Sequence, residues 1–168
     1  IESENLILEK ILITHTHHDH ISYLDDFIYK YPLINIYCHA NPINDFKKSF
    51  IALEHNQVIS IGNFLLTTLY TPGHFPDSVC YWSKEHKFIF TGDTVFIGRT
   101  GRTVSKGSNI KELYNSVYKI ILNLPHETTI FSGHHYGFSR YESILFNIKN
   151  SSFFQCNNFN EFTDVMQN

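Results

Sequence analysis

An apolar run, Ile11-Leu12-Ile13, leads directly into Thr14-His15-Thr16-His17-His18-Asp19-His20. The pattern H-x-H-x-D-H packs several metal-capable side chains into six positions. Side chains alternate along extended backbone, so His15 and His17 point the same way. A turn after His17 brings Asp19 and His20 to face the same cavity. Imidazole mixed with carboxylate suits zinc, iron or manganese better than calcium or magnesium. The competing reading is a polar loop with coincidental histidines. It explains poorly why an apolar strand should deliver so many ligands to its C-terminal end, and gathering ligands is what a preorganised metal site requires.

This pattern recurs along the chain. Predicted strands end at His15 to His20, at His74 (Thr71-Pro72-Gly73-His74), at Asp93 (Thr91-Gly92-Asp93) and at His134 (Ser132-Gly133-His134). Strand ends from distant parts of a chain can converge on one sheet edge and place a site on rigid elements. Gly73, Gly92 and Gly133 permit tight turns beside three of them.

The remaining elements are read from periodicity. Leu8 to Thr14 reads as a buried strand. Ile21 to Tyr31 carries apolar residues at helical spacing and stops at Pro32. Ile34 to Cys38 is a strand and Pro42 to Phe50 a short helix. Val58 to Ile61 and Phe64 to Tyr70 are strands turned at Gly62-Asn63. Val79 to Trp82 and Phe88 to Phe90 form a hairpin. Ser108 or Asn109 caps a helix from Ile110 to about Leu122, Thr128 to Phe131 is a short strand, and Phe159 to Met166 a small terminal helix.

The 168 residues suffice for one domain spanning 1–168. With 42% hydrophobic and 17% charged residues, the chain has the composition of a folded protein and not a disordered one. A formal net charge of -3 gives no electrostatic ground for nucleic-acid binding, and no apolar run is long enough to span a membrane. Cys38, Cys80 and Cys156 form no C-x-x-C pair and are odd in number, which argues against a disulfide framework. The expectation is buried thiols in a reduced, cytoplasmic protein.

Taken together, His15-Thr16-His17-His18-Asp19-His20, Thr71-Pro72-Gly73-His74, Phe90-Thr91-Gly92-Asp93-Thr94 and Gly133-His134 resemble the motifs of the metallo-β-lactamase superfamily. Within it, the stretch from Asp93 to Thr103, together with Leu113-Tyr114-Asn115-Ser116, Leu124-Pro125 and His134-His135-Tyr136-Gly137, resembles the branch of glyoxalase II (hydroxyacylglutathione hydrolase) and persulfide dioxygenase. The resemblance implies an α/β fold, a four-layer αβ/βα sandwich, with two divalent metal ions at its rim. Zinc is the first expectation, with iron and manganese as alternatives. One ion would take His15, His17 and His74, and the other Asp19, His20 and His134, with Asp93 bridging.

The sequence departs from the pattern in three places. Family members carry two or more strands ahead of the H-x-H-x-D-H strand. Here the sequence opens at Ile1, so the expectation is an incomplete sheet with an exposed edge, leaning on metal for stability. The C-terminal helical domain of glyoxalase II has no counterpart in the roughly 30 residues after His134. His135 stands where an Asp is common; His134, directly after the strand and Gly133, is the expected ligand.

The implied reaction is hydrolysis of a thioester or similar small acyl compound, such as a glutathione or other thiol derivative, by a metal-activated hydroxide. Asp93 and Asp19 are the catalytic candidates: Asp93 sets the metal separation and orients the nucleophile, and Asp19 carries a proton to the leaving group. An Fe(II) persulfide dioxygenase using His15, His74 and Asp93 is the alternative. A non-catalytic metal-binding fragment is a third. Arg99 and Arg102 are candidate carboxylate anchors, and Tyr136 could hydrogen-bond substrate. Ser78 is a candidate support for His74. His18, His55, His86 and His126 lie in polar contexts and read as solvated, His39 as a satisfied strand end, and Trp82 as core.

Overall fold

Short apolar runs between Val58 and Gly92 fold as consecutive antiparallel strands in the computed structural model, which describes residue 3 and residues 6–42, 46–137 and 139–167. Three short strands come first or alongside: β1 (Lys10–Leu12), β2 (Asn35–His39) and β3 (Ile51–Leu53) form a parallel sheet in the order β1-β2-β3. The second sheet has six strands in sequence order: β4 (Val58–Ile61), β5 (Phe64–Tyr70), β6 (Val79–Ser83), β7 (Phe88–Gly92), β8 (Thr129–Ser132) and β9 (Tyr141–Ser143). The helices are α1 (His18–Ile21), α2 (Leu24–Lys30), α3 (Ile110–Asn115), α4 (Ile144–Asn150) and α5 (Phe159–Gln167).

Three apolar clusters order these elements into four layers. Ile13, Leu24, Ile36 and Cys38, with Ile21 and Ile28, lie between the small sheet and α1–α2. Leu53, Ile59, Leu66, Val79 and Tyr81 fill the space between the sheets. Leu69, Cys80, Ile89 and Ile130 on the large sheet meet Leu113, Val117, Ile144 and Phe162 on the helical side. Phe162 is fully buried, and a side chain of this size contributes about 1.5–3 kcal/mol through burial. The α/β sandwich expected from the resemblance is the one observed.

Strand direction explains the position of the site. Because β5 and β7 both run antiparallel to β6, they point the same way; β8 is parallel to β7. The C-terminal ends of all three therefore share one edge, and His74, Asp93 and His134 come directly after it. The ladder between β7 and β8 shifts register between Phe90 and Gly92. A bulge of this kind re-aims the residues beyond it.

Several expectations change. The strand expected over Leu8 to Thr14 is shorter and only half-buried. It lies at the edge of its sheet and faces an apolar groove of about 620 Å³, lined by Ile11, Leu12, Phe27, Phe90 and Phe131 among others. The helix expected over Ile21 to Tyr31 is split: α1 begins at His18, and α2 spans Leu24–Lys30. The helix expected over Pro42 to Phe50 falls partly outside the described residues, and residues 46–50 are not helical. Phe46 and Phe50 pack together on the small-sheet cluster, so a helical spacing arises without a helix. The helix from Ile110 is capped by Asn109, whose side chain accepts from the Lys111 and Glu112 amides. It then widens to a π-helix over Ser116–Ile120 and tightens to a 3₁₀ turn over Ile121–Asn123.

Candidate metal centre

The loop after β1 carries His15 and His17 on the same side, and α1 turns Asp19 and His20 back toward them. His15 Nε2 and His74 Nε2 each lie 3.1 Å from His17 Nδ1. On the other side, His134 Nε2 is 3.2 Å from His20 Nε2 and 3.2 Å from Asp19 Oδ2. Asp93 stands between the two sets: Oδ1 is 3.3 Å from His20 Nε2, while Oδ2 is 3.7 Å from His74 Nε2 and 3.5 Å from His134 Nε2. All seven residues singled out in the sequence thus meet in one cluster. His134 turns inward, whereas His135 is exposed.

The donor chemistry fits a metal. His74 Nδ1 lies 2.7 Å from the Arg102 carbonyl, which can only accept a hydrogen bond. Nδ1 therefore carries the proton, and the Nε2 lone pair faces the cluster. His15 Nδ1 lies 3.2 Å from the Thr14 hydroxyl, likewise leaving Nε2 inward. Two ligands at 2.0–2.1 Å from a tetrahedral ion sit about 3.3 Å apart, close to the spacing of these nitrogens. Asp93 Oδ1 is buried and accepts no hydrogen bond, an expensive condition for a carboxylate oxygen unless a cation satisfies it. Three sets, His15–His17–His74, His15–His20–Asp93 and Asp19–His20–His134, each bring their ligand atoms within 4.8 Å of one another.

Electrostatics point the same way. Burial, reinforced by the neighbouring histidines, pushes the His15 pKa down to about 2. Burial also lowers His17 and His74. Their imidazoles are held neutral, the form that binds metal. Burial opposes a charge on His20 too, but the nearby Asp93 and Asp19 carboxylates together outweigh it and raise its pKa.

Beside the cluster, His74, Asp93, Phe96, Arg99, Thr100, Arg102 and Tyr136 line a pocket of about 180 Å³. The Arg99 guanidinium lies 5.8 Å from the centre of the Tyr136 ring. The loop is held from below by Asn147, which is fully buried. Its side chain accepts from the Gly98 amide and donates to the Phe96 carbonyl.

Ser78 does not support His74: its hydroxyl is buried without a hydrogen-bond partner, and the Arg102 backbone does that work. Sequence reasoning missed Asn147, the Thr14 hydroxyl and Asp77, which bonds Thr16. Nothing local marks them, because each acts across tens of residues or through an ordinary hydroxyl. His18, His55, His86 and His126 are exposed. His39 stacks on Tyr70 at 4.3 Å. The three cysteines are free and buried, and burial raises the Cys38 thiol to about 12.

Helices enclosing two sheets, with imidazoles and carboxylates meeting where strands end, define a metal-centre protein of the αββα type. The chain belongs to the metallo-beta-lactamase superfamily, whose sequence signature matches residues 5–134. Among its relatives it is 30% identical over 151 residues to the "Probable polyketide biosynthesis zinc-dependent hydrolase BaeB" of Bacillus velezensis, covering 88% of this chain and 66% of that protein. It is 35% identical over 152 residues to the "Probable metallo-hydrolase YqgX" of Bacillus subtilis, covering 80% and 72%. It is 31% identical over 154 residues to the hydroxyacylglutathione hydrolase of Francisella tularensis subsp. novicida, covering 92% and 60%. The crystal structure of ETHE1 from Myxococcus xanthus superposes with a TM-score of 0.86 at 26% identity, covering 99% of this chain and 72% of that one. The chain therefore spans about two thirds of the length of these relatives. Among the described residues no helix is long and apolar enough to cross a membrane.

Proposed function

We propose that this chain is a metal-dependent hydrolase of thioesters or related small acyl compounds, and that it binds two divalent ions, zinc first among them. The observation that carries this reading is the place of Asp93 between the two ligand sets, with Oδ1 at 3.3 Å from His20 Nε2 and Oδ2 at 3.7 Å and 3.5 Å from His74 Nε2 and His134 Nε2. The zinc-dependent and glutathione-thioester hydrolase names among its relatives support it. A bound metal pair supplies what no side chain here can, acidifying water toward neutrality and polarising a carbonyl.

The chain's own residues do the rest. His15, His17 and His74 form one ligand set, with Asp19, His20 and His134 as the other. Phe75 packs against His17, with the ring centres 4.0 Å apart and the planes tilted by 44°. Asp19 is the most exposed member of the cluster, so it can exchange a proton with the leaving thiol and with solvent. Arg99 and Arg102 draw an anionic substrate group toward the pocket, and Tyr136 orients it. At about 180 Å³ that pocket is smaller than an ordinary ligand site of ~300–1,000 Å³ and holds only the acyl portion.

An Fe(II) dioxygenase acting on a thiol persulfide is the second reading, favoured by the likeness to the ETHE1 structure. Metal analysis of protein purified without added metal, combined with thiol-release assays on a panel of acyl thioesters, tests both. Two zinc ions per chain with thioester cleavage, lost in Asp93→Ala, is the expected result. One iron with oxygen consumption on a persulfide supports the second reading, and two bound ions without cleavage of any thioester overturns the first.

A further inference from the structure

We infer that Asp77 is a positioning residue that sets the geometry of the His15–His17–His74 set and not of its neighbour. The inference rests on reading the cluster as a metal centre, but on no particular substrate.

The three histidines come from two separate segments. His15 and His17 lie just past β1, and His74 lies in the loop between β5 and β6. Asp77 is on that second loop, three residues past His74, and only 2% exposed. Its carboxylate reaches across to Thr16, the residue between the two histidines of the first segment. Thr16 N donates to Oδ1 at 3.3 Å and Thr16 Oγ1 donates to Oδ2 at 2.5 Å. Thr16 is itself 1% exposed. One side chain thus fastens together the two pieces of backbone that carry all three ligands, by two bonds shielded from solvent.

A merely local role does not account for this carboxylate. The turn at Phe75 closes without it, through the Ser78 amide and the Phe75 carbonyl. The segments already meet through backbone, since Val79 N donates to Thr14 O at 2.8 Å. That bond and the one from the Tyr81 hydroxyl to Ile13 O (2.6 Å) both lie on the strand side of Thr16 and hold nothing beyond Thr14 in place. The Asp77 clamp, two residues away along each segment, fixes the angle and thereby the direction of His15 and His17. Hydrogen bonds to a charged acceptor are shorter and about twice as strong as neutral ones, and a ligand frame must hold to within about 0.5 Å. In the other ligand set, Asp19 and His20 belong to α1 and His134 comes after β8, all outside the pair of residues that the clamp joins.

The test is Zn(II) titration of the full chain against a competing chelator. Imidazole nitrogens are followed by heteronuclear NMR, so that His15, His17 and His74 are read separately from His20 and His134. Asp77→Asn and Thr16→Val should each weaken Zn(II) at the first set by about 10–100-fold, the usual effect of losing an outer partner, with the second set little changed. Thr16→Ser, which keeps the hydroxyl, should retain tight binding. The Asp77→Asn/Thr16→Val double variant should lose no more than the worse single one, because both remove the same link. Equal weakening of both sets, no weakening in either single variant, or additive losses would each overturn the inference. If Asp77→Asn does not fold, Thr16→Val decides: it is isosteric and keeps the backbone bond, and folded protein with unchanged first-set affinity refutes the clamp. A wild-type chain that takes up no Zn(II) at these histidines defeats the metal reading, and this inference with it.

Discussion

Placing a single methyl group at residue 133 should disable the metal centre while leaving the fold largely intact. A Cβ on Gly133 would stand 2.5 Å from Asp93 Oδ1, 2.9 Å from His20 Cε1 and 3.2 Å from the Gly92 carbonyl carbon. Ordinary carbon–oxygen contact requires about 3.2 Å or more, so the Asp93 carboxylate must retreat by roughly 0.7 Å, more than the ~0.5 Å tolerance of a ligand frame. The carboxylate is the free end of a short side chain, so retreat is mechanically cheap. Overpacking of this kind costs about 1–3 kcal/mol. The same retreat pulls Oδ1 away from His20 and carries Oδ2, the oxygen between His74 and His134, off its position. For Gly133→Ala we expect a fall of about 10–100-fold in affinity for divalent metal, which is ~1.4–2.7 kcal/mol of binding free energy. Unfolding of the chelated protein should shift far less than unfolding of the metal-loaded form. Gly62→Asn is the control: nothing lies within 4 Å of its Cβ, and Asn tolerates the φ of +53° there. Thermal unfolding with and without chelator, together with isothermal titration, measures both quantities. Gly133→Ala protein that binds metal as tightly as wild type would refute the argument, because it would mean that Asp93 does not need its position.

Gly73→Ala should behave oppositely, destabilising the chain with or without metal by about 3 kcal/mol or more, since its Cβ would stand 2.1 Å from the Leu113 backbone nitrogen at φ +131°, where neither side can yield; chemical denaturation of the chelated protein checks this. Chelated protein should lose stability as pH falls. His15, with its folded pKa near 2, refuses a proton that the unfolded chain accepts below 6.5, so its contribution is whole above pH 6.5 and shrinks by about 2 kcal/mol by about pH 5. His17 and His74 act in the same sense; His20, raised, acts against them, adding stability at low pH that is lost as pH rises through its folded value. Denaturant midpoints that are flat or rising from pH 7 to pH 5 would contradict this. Asn147→Ala should cost about 2–4 kcal/mol by leaving the Gly98 amide and Phe96 carbonyl without their partner. It should also raise KM by loosening the loop that carries Arg99, and an unchanged KM in folded protein would separate that loop from substrate binding.

The legible parts of the molecule were those with a local signature. The strands from Val58 to Gly92 are short apolar runs bounded by turn residues, and their observed bounds lie within two residues of those read from the sequence. The histidine and aspartate positions were visible because four strand ends carry the same unusual chemistry. β3 was not visible, because three residues are too few to show a period. The segment holding β9 and α4, from Tyr141 to Asn150, was missed because Ile144, the first residue of α4, and Asn147 are the two that are most buried in it, and an asparagine in a core does not read as one. Asp77 escaped notice for a related reason. Its partner lies 61 residues away, and only the packing of two sheets brings them together.

The shared direction of β5, β7 and β8 governs how such a chain can change. Each of these strands hands its ligand to the connection beyond it, so the ladder is complete before the chemistry begins. The stretch from Thr94 to Asn109 lies downstream of Asp93 and outside every strand. Its first part is built into the core through Val95 and Ile97, but the part from Thr103 to Ser108 can be lengthened, shortened or rewritten without altering a single strand pairing, provided that the Arg102 carbonyl still meets His74 and the Asn109 amide still meets the Gly73 carbonyl. Those few tethers separate what selection must preserve from what it can vary, and a lineage built on this plan can acquire new substrates by editing one connection.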